Sequence, residues 1–441
     1  MQMQYKSLIM MTIFALVMLV GAAWWGHSQI ETNRRAEMRT SLETVLETSH
    51  EATRVWVRQE LASVQTWAES GDVIRLTEEL LNVPPDQTSL IAAPGTRVLR
   101  NLLSSVQAAR RYEGFFIIGP NNISLSSSRD SNVGSTNLLV NHPRVLDRLW
   151  RGESVLSLPM RSDVPLPDSH GVRQTGRATM FAGSPIRDAA GDVIALLTFR
   201  LNPSMDFTSI FQRGRLGSSG ETYAFNAQGQ LISESRFDDQ LRHIGLIGPE
   251  ERAILNVELR DPGDNLVTGE MRVESESTLP LTRMAASAIA GNTDFDVHGY
   301  RDYRGVPVVG AWLWDASLGL GITTELDVKE AYKTLYATGL IIVLMTMLAM
   351  LLLIVLAGMF AESRRKSLHL EQALTHVLDD FIPTCTGCKK IRDKDGEWTE
   401  IETYVSLKKQ PQFSHSICPN CGRELYGDLY DEAMEKLGCS S

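Results

Sequence analysis

Two pairs of cysteines near the C-terminus are the residues whose spacing predicts chemistry most directly. Cys385 and Cys388 lie in the stretch CTGC, and Cys418 and Cys421 lie in CPNC. Two C-x-x-C pairs supply four thiolates, which is the ligand set of a tetrahedral structural zinc site. The sequence therefore predicts that these four residues bind one Zn²⁺.

The cysteine spacing leaves alternatives open. An iron–sulfur cluster also takes four cysteines, and we rank it second. His415 could compete as a ligand, but with four thiols present we assign it a structural role. Cys439 has no partner at the same spacing, which predicts a free thiol. In a further alternative, the cysteines are themselves the input of a redox or metal sensor.

Two long apolar runs predict that the chain crosses a membrane twice. Leu8–Gly26 and Ala337–Phe360 carry no charge, and each is close to the ~20 residues that a spanning helix needs. The first run ends in Trp24 and Trp25, which favours a membrane interface over a signal-peptide cleavage site. It is therefore read as a retained span.

The chemistry of the flanking segments predicts the orientation. A basic cluster, Arg364 to Lys366, follows the second run, and such clusters usually stay in the cytoplasm. All five cysteines follow residue 384, and paired free thiols belong in a reducing compartment. We therefore expect a membrane protein with a cytoplasmic tail and an outer region between the spans.

The resulting division of the chain has seven segments. They are a cytoplasmic N-terminus (1–7), a first span (8–26), an outer sensor region (27–336), a second span (337–360), a cytoplasmic signalling helix (361–380), a zinc module (381–430) and a tail (431–441). The sensor region divides into a long helix (27–80), a first module (81–205) and a second module (206–333).

Composition excludes one class of partner. The 441-residue chain has 43% hydrophobic residues, as folded proteins do, and a formal net charge of −10. A nucleic-acid binder needs a net basic surface. We therefore expect no nucleic-acid partner.

The outer region begins with a helical pattern. Apolar and small residues recur in steps of four and three and predict a single seam along the helix: Met38, Leu42, Val45, Ser49, Ala52 and Trp56. Such a seam either packs on its own domain or forms a homodimer contact, and the two alternatives can hold along different parts of one helix.

Two strand-like patterns then occur twice. FFIIGPNNISLSSSR (115–129) aligns without a gap to TYAFNAQGQLISESR (222–236), and each reads as strand, turn and strand. An RDxxG turn begins a Val/Ile/Leu-rich strand at Arg187 and again at Arg301. One long helix followed by two modules of antiparallel strands predicts an α+β fold.

These features together resemble the double Cache family of bacterial extracytoplasmic sensors, over about residues 27–333. GSSGETYAFNAQGQLISESR is especially similar to the membrane-proximal module of that family. The resemblance implies two PAS-like modules, with a small ligand bound in the membrane-distal one.

The resemblance also implies candidate binding residues. Asp188 lies where an amino-acid-binding subset of the family has an aspartate, but the Arg-x-Trp-Tyr group of that subset is missing, because Arg151 follows Trp150. Arg129, Arg161 and Asp188 are therefore candidate ligand-binding residues. For each of them a structural role, at a strand end or a turn, is the stronger interpretation.

The tail resembles a small C-terminal module that follows PAS and other signalling domains in bacterial sensor proteins. The matching pieces are CxxCKKIRD, the Gly396-x-Trp398 turn, the IE-x-Y helix, FSH-x-ICP-x-C and a closing Leu-Tyr. The resemblance implies no enzymatic activity, and no kinase, cyclase or hydrolase constellation is evident. The sequence thus predicts a non-enzymatic sensor with a small-molecule ligand outside and a cytoplasmic signalling protein as partner.

Overall fold

A computed structural model describes residues 2–167, 173–269, 279–379, 383–393, 395–409 and 416–436. Its residues form two units, Val20–Thr346 and a second unit of Met1–Leu19 with Met347–Ser441. The predicted sensor region lies almost entirely in the first unit, and the cysteine pairs lie in the second. Each unit is described by itself.

Two long helices contain the apolar runs. Helix α1 spans Gln2–Ala68, so the first run continues into the predicted long helix, which ends at Ala68 rather than at residue 80 because a separate helix begins at Gly71. Near the other end of the sequence, a second long helix spans Lys333–Asp379. Both are long and apolar enough to cross a membrane, with mean hydropathies of 2.2 and 3.2 over their most apolar windows.

The first module is built around a six-stranded antiparallel sheet. Its helices are α2 (Gly71–Leu81), α3 (Gln87–Ala92), α4 (Pro94–Arg110) and α5 (Pro143–Trp150). Its strands are β1 (Gly114–Ile118), β2 (Ser124–Ser127), β3 (Val155–Leu156), β4 (Met160–Arg161), β5 (Leu166–Pro167), β6 (Arg173–Gln174), β7 (Ala178–Arg187) and β8 (Val193–Leu201). The sheet has the order β2-β1-β8-β7-β3, with β4 also paired to β7, and β5–β6 form a separate hairpin.

The second module has a four-stranded antiparallel sheet. Its elements are α6 (Asp206–Arg213), β9 (Glu221–Phe225), α7 (Asp238–His243), α8 (Arg283–Ile289), β10 (Asp294–Arg301), β11 (Pro307–Asp315), β12 (Leu320–Asp327) and α9 (Val328–Ala331). The strand order is β10-β11-β12-β9, so β12 has a partner on each side. The second long helix, Lys333–Asp379, follows α9 and is α10. The predicted combination of a long helix with antiparallel sheets is confirmed.

The two RDxxG motifs form equivalent turns. Asp188 and Gly191 lie in the turn between β7 and β8, while Asp302 and Gly305 lie in the turn between β10 and β11. In each turn the Asp carboxylate accepts hydrogen bonds from backbone N–H groups two and four residues later. The glycine of each motif has a positive φ, which costs a residue without a Cβ little.

The aligned hairpins differ between the modules. In the first module the pattern forms the antiparallel pair β1–β2. In the second module only β9 is a full strand, and its partner is reduced to a bridge between Phe225 and Leu231. Leu231 also exchanges backbone hydrogen bonds with Leu255 and Val257, as the aligned Ser124 does with Gly134 and Ser135.

Helix α1 packs on the chain's own core. Met38 and Leu42 are buried in one cluster with strand residues of both sheets, and Ser49 is also buried. For these three residues the structure shows packing within the chain, which is the first of the two alternatives. The seam also divides: Val45 and Trp56 are half-buried and Ala52 is exposed.

The tail is formed by small elements. A hairpin joins β13 (Ile391–Arg392) to β14 (Trp398–Thr399), with Gly396 at positive φ in its turn. Three helices follow: α11 (Ile401–Lys409), α12 (Pro419–Tyr426) and α13 (Asp428–Lys436). The IE-x-Y motif begins α11, and the Leu-Tyr motif ends α12.

Candidate functional site

A large polar concavity of the folded unit lies between its two modules. This inter-module cavity measures about 860 Å³. Segments 174–178 and 202–205 line it from the first module, together with Glu113 and Arg161. The second module contributes Glu234, Arg242, residues 249–252, Ile254 and Asn256. The walls of the cavity therefore carry both guanidinium and carboxylate groups.

Four buried polar atoms on these walls have no hydrogen-bond partner among the described residues. They are Oε2 of Glu113, Nη1 of Arg177, Oε2 of Glu234 and Nε of Arg242. Two of them accept and two donate. A buried polar atom without a partner costs about 1–3 kcal/mol, so native folds rarely leave several around one cavity without reason. A ligand with both donor and acceptor groups would satisfy them.

The two glutamates share an electrostatic feature. Burial raises the pKa of Glu234, while a hydrogen bond from Ser204 opposes that shift. Burial also raises the pKa of Glu113, against the charges of Arg200, Arg177 and Arg129. Because each carboxyl faces arginines across partly buried space, the cavity presents separated positive and negative groups.

Sequence reasoning missed Arg200, which is the most buried arginine of this area. Only 2% of its surface is exposed, and its guanidinium lies 5.2 and 5.1 Å from the ring centres of Phe116 and Phe181. Its ion pair with Asp163 is long, at 3.5 Å, and burial lowers its pKa. The sequence feature that could have pointed to Arg200 is that it is the single charged residue in the apolar strand sequence VIALLTFRL.

The structure separates the three predicted binding residues. Nη2 of Arg161 donates to the backbone O of Leu255 at 2.8 Å and to Oδ1 of Asn256 at 2.7 Å, so Arg161 links the modules at the cavity wall. Arg129 follows β2, and its charge acts on both Glu113 and Arg200. Arg161 therefore lies on the wall of the inter-module cavity, and Arg129 acts on the charge of Glu113, another residue of that wall.

Asp188 lies elsewhere. Its Oδ1 accepts hydrogen bonds from the backbone N of Ala190 and of Asp192, at 2.9 and 3.0 Å. It lines a separate cavity of about 310 Å³, together with Glu69 and Ser184 among others. Its carboxylate is thus occupied as a turn cap.

The cysteine pairs form two tight turns in the tail. In the first, the Cys385 backbone N donates to Lys390 O at 2.8 Å, and the Cys388 N–H lowers the pKa of the Cys385 thiol. In the second, the backbone N of Cys421 lies 3.5 Å from the Sγ of Cys418, and this N–H lowers the Cys418 pKa. Backbone N–H groups directed at sulfur favour the thiolate, the form that binds metal.

The donor set suits zinc only in part. Each pair offers two thiols, but among the described tail residues no three potential ligands lie close enough to hold one ion. The four thiols are therefore not brought together in this arrangement. His415 and Cys439 lie outside the described residues.

Comparisons with known proteins identify similar arrangements of structure only. Neither a protein-family profile nor a curated protein matches the chain. The sensor domain of the V. cholerae histidine kinase DctB is 14% identical, with a TM-score of 0.39 over 66% of this chain and 96% of that one. The P. aeruginosa PctB ligand-binding domain with L-Arg is 10% identical, with a TM-score of 0.40 over 68% and 92%.

A third structure is the ligand-binding domain of the Campylobacter jejuni chemoreceptor Tlp3 with L-valine. It is 10% identical, with a TM-score of 0.38 over 68% of this chain and 96% of that one. At this degree of identity and overlap, these similarities assign neither a ligand nor an activity to the chain.

Proposed function

We propose that the chain is a membrane-bound, non-enzymatic sensor that binds a small polar ligand in the inter-module cavity. The observation that supports this proposal is a set of four buried atoms that lack a hydrogen-bond partner among the described residues and belong to side chains lining that one cavity. Because two of the atoms are acceptors and two are donors, the ligand that fits them carries both an anionic and a hydrogen-donating group.

The position of the cavity gives binding a way to change the fold. A ligand held by Arg177 of the first module and Glu234 of the second would fix the angle between the modules. The second module continues through β12 and α9 into α10, one of the two candidate membrane helices. In the proposed topology the modules lie outside the cell and the tail lies in the cytoplasm.

The proposal for the tail is a zinc module that engages a cytoplasmic signalling protein. Cys385, Cys388, Cys418 and Cys421 would hold the ion, which would supply a staple for elements too small to form a core of their own. The redox or metal sensor remains the alternative role, and retention of zinc after mild peroxide treatment separates the two.

Assembly as a homodimer is also part of the proposal. Helix α1 leaves a shallow groove at Ala52, Val55 and Trp56, beside the stripe of residues that it buries in the core. A second copy of α1 is an occupant of the right length and character for this groove.

Ligand binding is tested on the full chain in lipid nanodiscs. A thermal-shift screen uses small molecules that combine a carboxylate with an amino or amide group. We expect a shift that Arg177→Ala and Glu234→Gln each abolish and that the surface variant Arg75→Ala leaves unchanged. A shift that survives both cavity variants but disappears in Asp188→Asn would move the site to the smaller cavity and refute this assignment.

A further inference from the structure

The second module contains a buried carboxyl group on its central strand. Glu325 of β12 is 3% exposed. Its Oε2 accepts a hydrogen bond from Oη of Tyr223 at 2.8 Å, and its Oε1 accepts one from Oη of Tyr300 at 2.6 Å. Gly310 lies opposite on β11, and its lack of a side chain leaves the space that Tyr300 and Glu325 share.

Two other buried carboxyls nearby have stronger partners. Glu221 accepts from the backbone N of Arg236 at 2.9 Å, as well as from Tyr303 and Ser235. Asp302 accepts from Nε of Arg304 at 2.7 Å and from two backbone amides. Each of these two carboxyls thus accepts a hydrogen bond from a backbone N–H, and Asp302 also from a cation, although burial raises the pKa of Asp302 to about 6.

Glu325 differs from them in its surroundings. Among the described residues its oxygens meet phenol hydroxyls but no cation and no backbone N–H. The titratable and charged groups that face it are Glu221 and Tyr223 from β9, Tyr300 from β10, and Asp302, Tyr303 and Arg304 from the turn before β11. Helix α8 adds buried Met284, Ala285 and Ala288, while its Arg283 pairs with Asp296 instead.

The balance of these charges favours a proton on Glu325. Arg304 is 3% exposed and is already shared between Asp302 and Asp327. Burial, and then the charge of Asp302, raise the pKa of Glu325 to about 8, against the hydrogen bonds of the two tyrosines. A carboxyl in this position is neutral near pH 7 and ionises in mildly alkaline medium.

The same strand leads directly to the candidate membrane helix. Only two residues separate Glu325 from α9, and Asp327 between them is held by Nη2 of Arg304 at 3.2 Å. A change in the charge of Glu325 therefore acts on the Asp302–Arg304–Asp327 group that fixes the end of β12.

We propose that Glu325 is a proton-binding switch. A proton on its carboxyl keeps the second module in the arrangement described, and loss of that proton at alkaline pH loosens the joint between β12 and α10. The ionised carboxyl would face Asp302 and Glu221 with no cation bonded to its own oxygens. Opening of the joint to water relieves the repulsion between these carboxylates. The switch itself needs no ligand in the inter-module cavity, so it stands apart from the proposed binding site.

Hydrogen exchange of the full chain in lipid nanodiscs tests the proposal. After correction for intrinsic base catalysis, we expect amides of residues 320–335 to lose protection as the pH rises from about 4.5 to about 8, by up to about tenfold per pH unit, and to lose no more above that range. Glu325→Gln cannot ionise, and its protection should not change with pH. Glu258→Gln, a change of an exposed glutamate in the same module, should behave as the wild type.

A second variant keeps the test decisive if Glu325→Gln does not fold. Tyr300→Phe removes a donor that favours the ionised carboxyl, so the pH at which the loss of protection levels off should move upward. A wild-type protein whose protection does not fall with pH, a fall that persists in Glu325→Gln, or a levelling-off pH that stays or moves down in Tyr300→Phe would each overturn the proposal.

Discussion

Glu330 and Ser219 tie the start of β9 to the turn before α10. Oε2 of Glu330 accepts hydrogen bonds from both the backbone N and the hydroxyl of Ser219, while Oε1 accepts the same pair from Ser218. The stretch GSSG can present its N–H groups in this way because Gly217 has a φ of 59°, and a side chain there would meet the carboxylate. One acidic residue thus receives four hydrogen bonds from a four-residue loop.

The first prediction is that Glu330→Gln destabilises the folded unit at neutral pH and removes part of its acid sensitivity. The four hydrogen bonds lower the pKa of Glu330 to about 2. Since the folded pKa lies below the unfolded one, this contribution is present above about pH 4.5 and is lost as the pH falls toward 2. The side chain is only half-buried, so we expect a loss of only about 1 kcal/mol.

Chemical denaturation of the full chain at pH 7 and at pH 3 measures this effect. Glu78→Gln, on the exposed face of α2, is the control and should change neither value. An equal loss of stability for Glu330→Gln at both pH values would contradict a charge-dependent role.

The second prediction concerns Gly310. A methyl group there would overlap the Tyr300 hydroxyl and lie 3.0 Å from both Cγ of Glu325 and the backbone O of Thr324. Gly310→Ala should therefore cost about 1–3 kcal/mol through overpacking. Gly71→Ala is the matched control because no atom lies within 4 Å of the added methyl. Thermal melts that place the two variants at the same midpoint would show that the space around Glu325 is not restricted.

The third prediction compares two faces of α1. Leu42 is fully buried, whereas Val55 is 37% exposed. Leu42→Ala should lower the free energy of unfolding by about 2–5 kcal/mol, because it opens a cavity beneath both sheets. Val55→Ala should change it by about 0.5 kcal/mol or less in a monomer. A larger effect of Val55→Ala that grows with protein concentration would instead place this face in a homodimer contact.

The fourth prediction tests the cysteine pairs. If they bind zinc, Cys418→Ser should remove the metal and unfold the tail, because binding free energy in so small a module is largely its folding free energy, on the order of 10 kcal/mol in zinc-finger peptides. Cys439→Ser should leave the metal in place. Elemental analysis of the purified full chain measures one zinc per chain in the wild type, whereas iron with a visible chromophore would replace zinc by a cluster.

Sequence patterns a few residues long were sufficient for most of the fold prediction. The two RDxxG turns are fixed by a carboxylate that binds its own backbone and by a glycine with positive φ, and both properties are visible in a few residues. The apolar seam of α1 was harder to interpret, because Leu46, Thr53 and Val57 complete the buried stripe and displace Val45 and Ala52 from it. Steps of three and four allow two neighbouring stripes, and only packing selects one.

The candidate site depended on contacts that no local pattern contains. Glu113, Arg177 and Glu234 come from separate segments, and they meet only because the two modules pack side by side. The two aligned hairpins show the same limit. Their sequences match, and in both a later segment exchanges backbone hydrogen bonds with the aligned residues Ser124 and Leu231, yet only the first module forms a full second strand.

The pairing of β12 on both sides has a mechanical consequence. Its backbone hydrogen bonds to β11 and β9 run perpendicular to the strand, along eight and five residue pairs. A force applied through α10 pulls along the strand axis and loads these bonds in shear, all at once rather than one after another. The second module should therefore resist tension from the membrane side strongly, and α10 should transmit a tilt or a twist more readily than an axial pull.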